Sequence, residues 1–151
     1  MAKANALLYY NSANAYYMGA TTLMKSKQQA AGSFLPMAQP AVTCAALALK
    51  LYFKCLLALE DNDSDDPMPL AALFGRMKDE TRKTLLARFD EFSNTALSSN
   101  ELQKHIEALD NAFARWRYLH EQDARSVNLE DLDEMILAAK SMITASNPDW
   151  C

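Results

Sequence analysis

Ala41-Val-Thr-Cys44-Ala-Ala-Leu-Ala-Leu-Lys50-Leu-Tyr-Phe-Lys54-Cys-Leu-Leu-Ala-Leu59 is the stretch that decides the fold. It is apolar almost all the way round. A helix of that kind is buried, either at the centre of a protein or in a bilayer. Lys50 and Lys54 choose between the two, because each costs about 2.5–3.5 kcal/mol at a bilayer centre. The stretch therefore reads as the central helix of a bundle, not as a membrane span. Its start is placed near Pro40, since proline is tolerated in a first turn, where its missing N–H has no intrahelical partner.

The rest of the chain supports a helical reading. It has 151 residues, half of them hydrophobic, with only 3 Gly and 5 Pro. Ala, Leu, Met, Lys and Glu lose little rotamer freedom in a helix. One domain of this size buries enough surface to fold without staples. Three cysteines give an odd count. Cys44 and Cys55 fall in one helix, roughly 16 Å apart at 1.5 Å per residue, beyond disulfide reach. Reduced thiols in a cytoplasmic protein are expected. No signal peptide is expected at the N-terminus, where Asn5, Asn11 and Asn14 interrupt any apolar run and a short helical amphipathic pattern fits better.

Upstream, a first helix is expected from about Ala4 to Lys27. Its stripe is Leu7, Tyr10, Tyr17 and Met24, and a loop from Gln28 to Gln39 follows. Downstream, Glu60-Asp-Asn-Asp-Ser-Asp-Asp66-Pro67 is an acidic turn. A short helix, Pro69–Met77, comes next, then one over Asp79–Phe92 with Leu85, Phe89 and Phe92 on one side. Ser98 and Glu101 form a capping box. It opens a helix to about Gln122 with the stripe Leu102, Ile106, Leu109, Phe113, Trp116 and His120. Asn128 caps the last helix, whose stripe is Leu132, Met135, Ile136, Ala139, Met142 and Ile143, and Asn147-Pro148 ends it. No strand pattern is present. The expected fold is all-α: an up-and-down bundle of four long helices and one or two short ones. It forms one domain over 1–148 with a frayed tail at 149–151.

The net charge is −4 and the pI about 5.1, so there is no global attraction to nucleic acid or to an anionic membrane. In the acidic turn, Asp61, Asp63 and Asp65 match the first positions of a calcium loop. Asp66 stands where the turn needs Gly, and Ala72 where a bidentate Glu is required. No metal and no cofactor is expected. Lys50 and Lys54, one turn apart, share a helix face. They either snorkel or pair with Glu101, Glu107 or Asp110, or they form an anion site.

Phe113-Ala-Arg115-Trp116-Arg117-Tyr118-Leu119-His120-Glu121 concentrates charge and aromatics. An arginine can hold a phosphate while a histidine moves a proton near neutral pH. At 100° per residue, His120 lines up with Leu102 and Phe113. Arg117 lies about 60° away and Arg115 about 140° away. Arg117 can thus meet His120 or Glu121, while Arg115 faces outward and Tyr118 is free for an interface.

Three segments, in this order, resemble the HEPN superfamily of small helical bundles: Ala45–Leu57 with its lysines, Pro69-Leu-Ala-Ala-Leu-Phe74, and Phe113-x-x-Trp116-Arg117-Tyr118-x-x-Glu121. The resemblance implies a homodimer. It also implies one of two activities. Arg115 and His120, with four residues between them, have the spacing of the family's metal-independent ribonucleases of toxin or phage-defence type. The Trp-Arg-Tyr-x-x-Glu variant instead aligns Arg117 and Glu121 and requires no histidine. The first expectation is a non-catalytic module binding a nucleotide-like anion or a partner through Lys50, Lys54, Arg117, Tyr118 and Glu121. The second is an RNA-cleaving enzyme using His120 with Arg115 or Arg117. The third is a helical adaptor with no ligand site. An antitoxin or a nucleotidyltransferase is the kind of partner the family suggests.

Overall fold

The computed structural model describes residues 2–29, 34–62, 68–93, 99–116 and 129–150. These form six α-helices and no strand: α1 (Ala2–Gln29), α2 (Phe34–Leu59), α3 (Leu70–Arg76), α4 (Asp79–Ser93), α5 (Ser99–Trp116) and α6 (Leu129–Ser146), then a 3-10 turn, Pro148–Trp150. The fold is an all-α helical bundle.

α1 and α2 form a long antiparallel hairpin, the most extensive helix contact among the described residues. Its register is fixed by Tyr10 against Tyr52, with ring centroids 6.1 Å apart, and by Gly19 facing Cys44. Small residues allow the close approach. Ala6, Ala13 and Ala20 recur every seven residues on the buried side of α1, and Ala41, Ala45 and Ala48 answer on α2. The expected α1 stripe is corrected in one place. Tyr10 is buried, but Leu7 is 38% exposed, because the alanine line carries the contact and leaves Leu7 at its edge. The Met24 side chain lies outside the described residues.

α2 is the centre of the bundle, with α1, α6, α3 and α5 all packed on it. Ala41–Leu59 is long and apolar enough to cross a membrane by length and composition, with a mean hydropathy of 1.8, and 61% of it is buried inside the fold. Leu49, Tyr52 and Phe53 are fully buried, and each contributes on the order of 2 kcal/mol through that burial. Its start differs from the expectation. The helix begins at Phe34 and runs through Pro36 and Pro40. Pro36 sits in the first turn, where no N–H is needed. Pro40 removes only one backbone hydrogen bond from a helix already under way.

The C-terminus of α2 ends in a Schellman-type closure. Asn62 N–H bonds Leu57 C=O at 2.9 Å and Asp61 N–H bonds Ala58 C=O at 3.1 Å. Asp61 takes the left-handed conformation, φ 59°, that glycine usually supplies. Asn62 then closes the turn on Arg76, giving its amide N–H to the Arg76 carbonyl and accepting from the Arg76 guanidinium, both at 2.9 Å. Residues 63–67, and with them Asp63, Asp65 and Asp66 of the acidic turn, lie outside the described residues.

α3 buries Leu70, Leu73 and Phe74. α4 buries Leu85 and Phe89, but Phe92 is 43% exposed: it shares their face in the helix's last turn, where a helix end has neighbours on one axial side only. α5 buries Leu102, Ile106 and Leu109, and all six expected stripe residues of α6 are buried. The tail is not frayed. Pro148 stops α6, and the turn is closed by Trp150 N–H to Asn147 C=O at 3.0 Å. The Trp150 indole packs on the core, 5.5 Å from the Tyr10 ring. Residues 149 and 150 thus belong to the domain.

Candidate functional site

Two surfaces offer chemistry, on opposite sides of α2. The first is the outward line Thr43, Leu47, Lys50 and Lys54, spaced four, three and four residues apart and hence on one helix face. Lys50 and Lys54 are half-buried. The Lys54 ammonium lies over the Tyr9 ring, 5.8 Å from its centroid, a cation–π contact worth about 0.5–1 kcal/mol at such a site. In the hairpin register, Tyr16 stands level with Leu47, and they are 42% and 36% exposed. The face therefore alternates cation and aromatic along the α1–α2 hairpin.

The acids expected to neutralise these lysines do not do so. Among the described residues, the one ion pair joins Arg82 to Asp79. Asp110 is committed elsewhere. Its two carboxylate oxygens accept the backbone N–H groups of Leu70 and Ala71, each at 2.8 Å, so α5 caps the N-terminus of α3. The Gln103 amide bonds Glu107 at 3.2 Å.

Of the stretch 113–121, the backbone is described through Trp116, which ends α5. The side chains of Phe113, Arg115 and Trp116 lie outside the described residues, as do Arg117, Tyr118, His120 and Glu121 altogether. Asn128, the expected cap of α6, also lies outside them.

The second surface is a cleft of about 530 Å³ between the C-terminal ends of α2 and α6 and the length of α4. Leu56, Leu59 and Met142 give it an apolar floor. Glu60 and Glu80 stand toward one end, and the Thr81, Thr84 and Arg88 side chains run along α4 at i, i+3 and i+7. Glu60 also holds the start of α4, accepting from the Thr81 hydroxyl and from Lys78 N–H at 3.2 Å. Sequence reasoning missed this cleft. The i, i+3, i+7 polar stripe was visible in α4, but which helices face it was not.

Two tyrosines tie the helices of the bundle together. Tyr17 donates to Asp133 at 2.6 Å, joining α1 to α6, and Tyr52 donates to Asn14, joining α2 to α1. Burial raises the phenol pKa of both well above the ordinary range, and for Tyr17 the Asp133 bond adds to it. Cys44 is half-buried and Cys55 buried, both free thiols. Burial pushes Cys55 up to about 12, which leaves it protonated and a poor nucleophile.

No family model, no curated protein and no solved structure matches this chain.

Proposed function

We propose that this chain is a HEPN-like bundle of the cytoplasm that acts as a binding module for nucleotide or RNA phosphate, using the Lys50–Lys54 face of the α1–α2 hairpin. One observation carries the reading: two half-buried lysines one turn apart on one helix face, with no described carboxylate paired to either, the ammonium of one over the Tyr9 ring and with exposed Tyr16 further along the face. The lysine stems lie along the hairpin while their ammonium heads remain available, and an anionic ligand gives both heads a partner. Aromatic rings beside lysines suit single-stranded RNA, whose bases stack while its phosphates meet the cations. The resemblance adds Arg117, Tyr118 and Glu121, outside the described residues, to the proposed ligand-binding set; a homodimer is the proposed assembly, and an antitoxin or nucleotidyltransferase is the proposed class of partner.

The second reading is a metal-independent endoribonuclease, favoured by the spacing of Arg115 and His120. Incubating the full chain with single-stranded RNA in EDTA separates the two. The module reading predicts bound, intact RNA. Cleavage that disappears in His120→Ala, with unchanged far-UV circular dichroism, replaces it with the enzyme.

A further inference from the structure

The cleft between α2, α4 and α6 is electrically polarised. At one end the C-termini of α2 and α6 arrive together, since α6 runs antiparallel to α1 (Tyr17 on Asp133, Tyr10 on Trp150) and hence parallel to α2. A helix C-terminus carries roughly half a negative charge, ordinarily offset by a basic residue in the last turn. Neither helix has one. Glu60 and Glu80 add carboxylates at the same end. Toward the other end stands Arg88, half-buried, with no carboxylate in ion-pair distance among the described residues. Between the ends lie the apolar floor and two hydroxyls that have already spent their protons, Thr81 on the Glu60 carboxylate and Thr84 on the Glu80 carbonyl at 2.8 Å. Both therefore face the cleft as acceptors.

The spacing selects the ligand. From Thr81 to Arg88 is roughly 10 Å along α4. A helical side chain leans toward the N-terminus, so the long Arg88 side chain reaches back along the cleft and shortens that span. A single amino acid is too short to bridge them. An extended dipeptide spans about 7 Å, carries an ammonium and a carboxylate at its ends, and places one N–H donor between them.

We infer that this cleft binds a dipeptide, its carboxylate on Arg88, its ammonium at the Glu60–Glu80 end and an apolar side chain on Leu56, Leu59 and Met142. The site lies away from the lysine face, since Leu56 projects about 200° from Lys54 around α2, so it stands or falls independently of the RNA-binding reading. The test is a titration of the full-length 15N-labelled chain with glycyl-leucine, N-acetyl-glycyl-leucine, glycyl-leucinamide and free leucine. Saturable amide shifts confined to Thr81, Thr84, Arg88, Ser146 and Asn147 are expected with glycyl-leucine. Blocking either end, or Arg88→Gln, weakens binding about tenfold or more, and Arg88→Lys restores part of it. Absence of saturable shifts to about 10 mM overturns the proposal. So does equal binding of the blocked forms, of Arg88→Gln or of free leucine. An unchanged amide spectrum away from the cleft establishes that each variant is folded.

Discussion

The Asp110 carboxylate on α5 accepts the Leu70 backbone N–H at the start of α3, at 2.8 Å, and its second oxygen takes the next N–H, that of Ala71. Pro69, in the N-cap position, has no side-chain cap of its own to offer. A residue forty positions away therefore does the work that a Ser or Asp usually does locally. Asp110→Ala is expected to lower the unfolding free energy by about 2 kcal/mol, because two partly buried donors lose a charged acceptor. Asp110→Asn, which keeps one acceptor oxygen, loses about half as much. Urea unfolding with an unchanged m-value measures both; a loss under about 0.5 kcal/mol for the alanine variant means the cap is not needed.

Asp61 offers the opposite sign. It holds a left-handed φ of 59° at the end of α2, where a non-glycine side chain is strained. Asp61→Gly relieves that strain while leaving the two closing hydrogen bonds in place. A gain of about 0.5–1 kcal/mol is expected by the same urea assay, and destabilisation contradicts it.

Tyr17 and Tyr52 make the bundle sensitive to alkali. Both folded-state phenols titrate above their unfolded value of about 10, through burial first. Raised pKa values mean that the folded state holds these protons more tightly, so their stabilisation is whole below pH 10 and falls as pH rises beyond it. Unfolding free energy measured from pH 8 to 11 should decline above about pH 10. The decline should be shallower in a Tyr17→Phe, Tyr52→Phe double variant. An identical slope in that variant contradicts the assignment.

Trp150 closes the bundle on Tyr10, 5.5 Å between ring centroids. Trp150→Ala is expected to cost about 1–2 kcal/mol, from lost apolar burial and the aromatic contact. A melting temperature within about 1 °C of the parent would mean that the indole does not anchor the C-terminus.

How far the sequence alone reaches depends on whether a signal is local. Periodicity places α1, α3, α4 and α6 to within about two residues, because burial of Leu85 and Phe89, or of Leu132 through Ile143, rests on a 3.6-residue repeat. The start of α2 was misjudged because two prolines look like a boundary, yet one of them falls in a first turn that tolerates it. Trp150 reads as a frayed end because nothing nearby in sequence reveals that Tyr10 waits across the bundle. The candidate sites are less legible still. Lys50 and Lys54 are visible as a pair, but Tyr9 joins them only through the hairpin register. Glu60 looks like one acid of a solvated run, whereas it holds the start of α4. Long-range pairings of this kind leave no spacing to read.

The central claim is that Lys50 and Lys54 bind phosphate. Fluorescence anisotropy of a labelled single-stranded RNA, titrated with the full chain in EDTA between 50 and 200 mM salt (a range that exposes counterion release), tests it most directly. The expected result is saturable binding that weakens with salt. In a Lys50→Gln, Lys54→Gln variant, affinity should fall at least about tenfold, and the slope of log affinity against log salt should become shallower by about 1.4, two phosphate contacts at roughly 0.7 each. Equal affinity and equal slope in parent and variant would contradict the claim.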